Sequence, residues 1–578
     1  MSKRLGVTAL AVASAVTVAA GFAFVSCSGS DDGAKPAPAP EPAPAAPADA
    51  AVPGQTRDTL VIGWQSDIGQ LLSVVYESSS DAPVLEMVGF PTVDGEFDCS
   101  LKKRPALAKS WEWSEDGTVL KMELRDDIKW EDGVPVTADD FVFTYDLIGD
   151  PTVASPRLSN IDRMTPDGRP KVIDPTHIEW HFTQAYDRDT QMSHAGLGLV
   201  PKHIWEKADR ASIRGNDKIN QPLSYGPWRL AKWEPNQRVV LEPNPNFTGP
   251  DEYKAHLNRV IFRIIPEYAT RLIELESGNI DLMEAVLVSD ADRLREEHPE
   301  IRLVRRGWRS SDYVGWNLKN PLFEDVKVRK ALAMAADVEG MIGKLLTSKT
   351  GESYAKRSIG TITPALCGVH NDAVVPLAHN VEEAKKLLGE AGWKDSNGDG
   401  VLDKAGKKFE FTLMTNTGNK RRADAAVLLQ DQLKQVGVTV NIEKAESNSF
   451  FERLRKKDYE AALAGWSAGL FVDPTVIWHC DQPEIGKKYE FNFTGYCNKD
   501  VDKLMEQGLS TPNPKDSAPI WMDVQAKIYE DQPYMFLWWM DEIVAVNNRF
   551  ENTTIDILSP YNRLQEWEVP ADKVKYQR

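Results

Sequence analysis

RPALAKSWEWSEDGTVLKMELRDDIKWEDGVPVTADDFVFTY, residues 104–145, changes its periodicity once, and that change decides the fold class. Trp111 and Trp113 alternate with polar neighbours, Asp116 and Gly117 supply a turn, and Leu120, Met122 and Leu124 alternate again. Period-two alternation on both sides of a short polar turn predicts an antiparallel hairpin. From Thr137 the apolar residues Phe141, Tyr145 and Ile148 follow a helical period, with Asp140 three places after a threonine. That is the pattern of a capped amphipathic helix.

Further along, SYGPWRLAKWEPNQRVVLEPNPNF (224–247) predicts two strands around Pro235 and Asn236. In RVIFRIIPEYATRLIELESGNIDLM (259–283) a strand bearing Val260, Phe262 and Ile264 leads into a helix that Gly278 stops before a short strand. A second region of the same kind contains VRKALAMAADVEGMIGKLL, VEEAKKLLGEAGW and FEFTLMTN, the last leading into RRADAAVLLQDQLKQVGVTVNIEKA. Gly437 ends its helix. Strand, helix and strand in alternation twice over predict two α/β lobes.

The amino-terminal segment, MSKR followed by GVTALAVASAVTVAAGFAFVSC, has the basic start and apolar core of an export signal, residues 1–26. An apolar run of this length also suits a retained membrane helix. Small residues before Cys27 and the abrupt proline- and alanine-rich stretch after it favour cleavage, and Phe24 to Cys27 resemble the lipobox of bacterial lipoproteins. Phe24 stands where leucine is usual. Residues 27–55 then form a lipidated cysteine and a tether with no periodic apolar pattern.

About 520 residues remain, more than one core normally supports. The formal charge of −18 becomes −20 once Lys3 and Arg4 leave with the signal. An acidic surface without a basic stripe argues against nucleic acid as a partner. Four further cysteines are Cys99, Cys367, Cys480 and Cys497, and an even number in an exported chain permits two disulfides. Cys480 and Cys497 flank a polar loop and are the better pair; Cys99 with Cys367 is the remainder. DSNGDGVLD (395–403) has the first ligand spacings of a calcium loop but Gly406 where the closing glutamate belongs, so a tight polar turn is the preferred reading over weak calcium binding. The nine histidines are scattered, and neither a metal nor another cofactor is expected. None of the common catalytic motifs occurs, so no enzyme is expected.

Several separated stretches together resemble the extracytoplasmic solute-binding proteins of family 5, the peptide- and nickel-binding family that serves ABC importers. They are the 104–145 segment, PKHIW (201–205), SYGPWRL (224–230), ESGNIDL, GWNLKNPLFEDVKVRKALAMAAD (315–337), AGW (391–393) and FNFTGYCNKDVDKLM (491–505). The resemblance implies an α/β, two-lobed periplasmic-binding-protein-like fold, type II, cluster C, with an extra small domain. Domain I would comprise 56–91, 221–308 and 541–578, domain II the insertion 92–220, and domain III 309–540. A peptide or peptide-like solute would be enclosed between the lobes and delivered to the permease subunits of an ABC importer by a monomer held to the membrane through its lipid anchor. A lipoprotein of the same fold acting as sensor, chaperone or scaffold, or carrying a non-peptide solute, is the second reading.

The resemblance also points to the loop after ALAGW. Trp466 would line the cleft, stacking on a ligand backbone, with Ser467 beside it. Relatives that hold a free amino terminus place an aspartate three residues after this tryptophan; here that residue is Gly469, and the next carboxylate, Asp473, either faces the ligand or caps the loop. Tyr225 either points into the cleft or packs beneath the strand of Trp228. The aromatic run Tyr534, Phe536, Trp538 and Trp539 is expected in a buried strand near the last crossing between lobes.

Overall fold

The computed structural model describes residues 58–576, except 77, 79, 96–101, 159–160, 162–163, 166–168, 367, 418, 469–471, 481–490 and 558. The expected signal (1–26) and the tether, with Cys27, Cys99, Cys367 and Gly469, therefore lie outside the described residues.

Eleven strands form one main sheet. In chain order they are β1 (Thr59–Trp64), β2 (Trp228–Glu234), β3 (Arg238–Pro243), β4 (Arg259–Ile264), β5 (Leu282–Met283), β6 (Ile301–Trp316), β7 (Ala355–Arg357), β8 (Glu410–Asn416), β9 (Thr439–Ala445), β10 (Ala461–Ser467) and β11 (Tyr534–Asn547). Their spatial order is β9-β8-β10-β6-β11-β5-β1-β4-β3-β2, with β7 on β11. β1 runs parallel to both β4 and β5, so the helix Tyr268–Glu276 is a crossover over β1. β8 and β9 are parallel in the same way around the helix Lys420–Lys434. Gly278 and Gly437 both take positive φ where these helices stop, a conformation that costs glycine little.

The 104–145 segment forms the predicted hairpin: Ala108–Trp113 pairs with Val119–Leu124, and Gly117 turns at φ 71°. The inner residues Leu120, Met122 and Leu124 are buried, and the hairpin belongs to a separate five-stranded sheet completed by His177–Phe182 and two short strands. The helix Ala138–Gly149 covers that sheet with Phe141 and Tyr145 on Trp180. Asp140 accepts the Thr137 N–H at 3.0 Å, the return bond of a capping box.

Among the described residues, only β6 and β11 belong to both halves of the main sheet. They pair antiparallel from Ile301↔Asn547 to Gly315↔Tyr534, and the register breaks between Arg306 and Ser310, where residues 307–309 oppose Asp541 alone. Trp308 takes φ 58° there, in the left-handed region that a bulky residue rarely occupies. On one side of this bulge the apolar core gathers Leu60, Ile62, Phe262, Val544 and Val546; on the other, Trp316, Leu332, Leu413, Leu463 and Trp538. The chain's return to its starting half is fixed by a buried ion cluster: Arg549 donates from Nε to Asp281 at 2.9 Å, from Nη2 to the Thr59 carbonyl at 2.6 Å, and pairs with Asp58. Both aspartates are fully buried, and breaking such a pair leaves an uncompensated charge.

Candidate functional site

β10 pairs antiparallel with β6, with Ala461–Ala464 buried and Trp466 near the strand's end opposite Ser311. The half-buried Trp466 ring is one plate of an aromatic wall. It stacks on Phe493 at 5.6 Å and on Tyr313 at 6.1 Å, and meets Phe491 edge-on. Tyr313 in turn stacks on Tyr534 at 3.8 Å, and Trp478 packs behind Tyr534. Tyr313, Phe493, Tyr534 and Trp478 are buried, so Trp466 and Phe491 are the rings of this group left partly exposed at the strand end, where an indole can stack on a chain laid against it. Ser467 is exposed and pairs through its backbone with Ser310.

Beneath this wall lies an ionic cluster that the sequence reading did not anticipate. Asp312, fully buried, accepts from Arg421 Nε at 2.7 Å, Arg422 Nε at 2.8 Å and Trp538 Nε1 at 3.0 Å. Burial pushes its carboxyl up, but the two guanidiniums outweigh that and hold it down to about 2. A methyl group on Gly465 would overlap Arg422 Nη2, the Ser311 carbonyl and Asp312 Oδ1, so the glycine before Trp466 is what lets this cluster sit under the strand end. The only sequence signal was a pair of arginines at a helix start.

The other expected site residues are dispersed. Asp473 accepts the Thr475 N–H at 3.1 Å and the Thr475 hydroxyl, two residues ahead of the short helix Thr475–Trp478. The sulfurs of Cys480 and Cys497 stand at bonding distance, 2.13 Å, with their Cα atoms 4.5 Å apart. Tyr225 is buried: its ring meets Trp130 at 4.8 Å, and its hydroxyl accepts the Leu199 N–H at 3.0 Å. Burial raises that hydroxyl's pKa to about 12. Tyr225 borders a cavity of about 530 Å³ whose wall includes Leu85, Phe90, Tyr253 and Tyr561 but no residue of the Trp466 wall. In the 395–403 loop, Asp395 accepts the amides of Gly398 and Gly400, and Asp399 pairs with Lys408.

At the crossing of the halves a second charged group surrounds Glu284, the residue that follows β5. Arg306 Nη1 lies 3.1 Å from Glu542 and 3.5 Å from Glu284, and the Tyr561 hydroxyl donates to Glu284. Burial first, and then the charge of Glu542, raise Glu284 to about 8.

The profile of the bacterial extracellular solute-binding proteins, family 5, matches residues 102–487. The oligopeptide-binding protein AppA of Bacillus subtilis is 30% identical over 526 residues, spanning 90% of this chain and 92% of that one. The periplasmic oligopeptide-binding protein OppA of Salmonella typhimurium is 27% identical over 74% of this chain and 77% of its own. Among solved structures, Bacillus subtilis AppA in complex with a nonapeptide superposes at a TM-score of 0.73 and 28% identity, covering 89% of this chain and all but 1% of that one. NikZ of Campylobacter jejuni in complex with Ni(L-His) superposes at 0.75 with 23% identity, over 89% of this chain and 99% of its own, a likeness of fold alone.

Proposed function

Because the chain belongs to family 5 of the bacterial extracellular solute-binding proteins, we propose that it captures a peptide or peptide-like solute between its two lobes and hands it to the permease of an ABC importer. The observation that carries this reading is the aromatic wall of Trp466, Tyr313 and Phe493 at the open end of β10, beside the two strands that join the lobes. A half-exposed indole set on buried rings at a strand end can stack on a peptide backbone without demanding one side-chain sequence. The nonapeptide held by a relative of 28% identity supports the same solute class.

In this reading Trp466 and Ser467 touch the solute, Gly469 supplies no carboxylate of its own three residues on, Asp473 holds the loop, and Tyr225 serves the seam with the inserted small sheet. The lobes comprise 56–91 with 221–308 and 541–578 on one side and 309–540 on the other, with 92–220 as the insertion. The small lobe-to-lobe connection makes closure a population shift, since a solute gains contacts to both lobes only in the shut form. Export and acylation at Cys27 place the body near the importer, and the Cys480–Cys497 bond matches an oxidising compartment.

Native mass spectrometry of freshly isolated protein tests the reading. A family of adducts with peptide masses, released on unfolding, is expected. Protein that carries no small molecule and shows no compaction with a mixture of peptides would overturn it.

A further inference from the structure

Each lobe is internally tied, so the place where a small change turns one against the other is the crossing of β6 and β11. Arg306 and Glu542 are the last paired residues before the bulge at 307–309. Glu284 reaches the same spot from β5, which pairs with β11 through Met283 and Ala545. The groups that act on its carboxyl come from three elements: Glu542 on β11, Arg306 on β6 and Tyr561 on the carboxy-terminal segment. The neighbouring acid, Asp541, projects from the opposite face of β11 and is engaged by Arg305, as is Glu352.

One guanidinium therefore faces two carboxylates. With both ionised, the group carries a net negative charge in a half-buried place, and the two carboxylates repel; with one proton between them, the repulsion becomes a hydrogen bond. In the arrangement seen, Arg306 is shared by Glu284 and Glu542 while the Tyr561 hydroxyl donates to Glu284, so two acids depend on one cation.

We propose that Glu284 and Glu542 form a proton-operated latch on the joint between the lobes: while the pair holds a proton Glu284 stays docked on β11, and when the proton leaves Glu284 withdraws and the strands loosen at the bulge. The latch rests on lobe closure and not on the chemistry of the solute. Its sign follows from linkage. The docked arrangement binds a proton that a separated pair gives up, so rising pH favours the separated pair. The raised carboxyl puts this change between the ordinary value of 4.5 and about 8.

Hydrogen exchange of the full, solute-free chain, read by mass spectrometry on peptides covering 301–316 and 534–547, tests the latch independently of any solute. After correction for intrinsic exchange, protection of Arg305–Ser310 and Met540–Ile543 should fall about tenfold from pH ~5.5 to pH ~8.5 in the natural protein. Glu284→Gln and Glu542→Gln, each isosteric with a protonated carboxyl, should keep the acid-side protection at both values. Unchanged protection in the natural protein, or the same fall in whichever variant folds, would overturn the latch.

Discussion

The indole N–H of Trp466 on β10 donates to the hydroxyl of Tyr534 on β11 at 3.3 Å, reaching across the intervening strand β6. The ring that would meet the solute is thus oriented by one of the two strands that connect the lobes, and solute contact and lobe geometry share a hydrogen bond. Trp466→Ala should weaken peptide binding by about tenfold, the equivalent of 1.4 kcal/mol of lost stacking area. Trp466→Phe should lose less, because a phenyl ring still stacks on Phe493. Calorimetry with one peptide and three proteins checks the ranking, and equal affinities would return Trp466 to a packing role.

Gly465 gives a sharper structural expectation. Two of the atoms that an added methyl would overlap, the Ser311 carbonyl and Asp312 Oδ1, belong to backbone or to a pinned side chain and have nowhere to move. Gly465→Ala should therefore destabilise the fold by about 1–3 kcal/mol, the usual cost of overpacking, visible as a lower urea midpoint with an unchanged slope.

Asp312 should control behaviour in acid. Its carboxyl is held below the unfolded value of 3.8, so its contribution is complete above that value and is lost as pH falls toward about 2. Asp312→Asn would leave Arg421 and Arg422 facing each other across a buried site, at a cost of about 3–5 kcal/mol. Denaturant titrations near neutrality should show that full loss, and the gap between variant and natural protein should shrink toward pH ~2. A gap independent of pH would mean that the carboxylate charge is not what holds the arginines.

These cases also mark what a sequence makes legible. The hairpin at 108–124, the capped helix after Thr137 and the two strand-helix-strand units were readable because each is written in a local period, closed by a glycine or a cap within a few residues. The buried aromatic strand 534–539 was readable for the same reason. β6 was not: RLVRRGWRSSDY has no clean alternation, since the bulge resets its register on β11 and β10 joins its other edge only from Ser310 onward. The Asp312 cluster and the Asp58–Arg549–Asp281 cluster join residues more than a hundred positions apart, and no local pattern encodes such a pairing. Of the candidate site, Trp466 was proposed through a resemblance that carries its loop with it, whereas the aromatic partners Tyr313 and Phe493 come from other strands and loops.

The Cys480–Cys497 bond closes a loop with a sequence separation of 17 beside the Trp466 wall, whose ring Phe491 and Phe493 lie within that loop. Replacing both cysteines by serine should cost about 3 kcal/mol on the chain-entropy estimate and weaken peptide binding besides, as the phenyl rings lose their anchor. Non-reducing peptide mapping should recover the two cysteines in one linked fragment. Finding either as a free thiol in protein isolated from the envelope would remove the bond and the expectation built on it.

The last expectation concerns which end of a peptide is recognised. From Trp466 through Val472 the chain carries no acid, and the first one, Asp473, is engaged with the backbone and hydroxyl of Thr475. Asp312, opposite Gly465 in the strand pairing, is already shared by Arg421 and Arg422, which leave an excess of positive charge there. A free ammonium laid beside Trp466 would therefore lose hydration and gain no charged partner from this stretch, which is unfavourable in a half-buried place. A charge-assisted hydrogen bond of about 1.5–3 kcal/mol is what such a partner would have supplied, so its absence removes about one to two decades of preference for a free amino terminus. An acetylated peptide should then bind as tightly as its free-amine counterpart or more tightly, and the two should respond alike to Trp466→Ala. Titration calorimetry on the matched pair at neutral pH decides the matter: a preference of tenfold or more for the free amine would show that a carboxylate from elsewhere in the lobes reaches the ammonium.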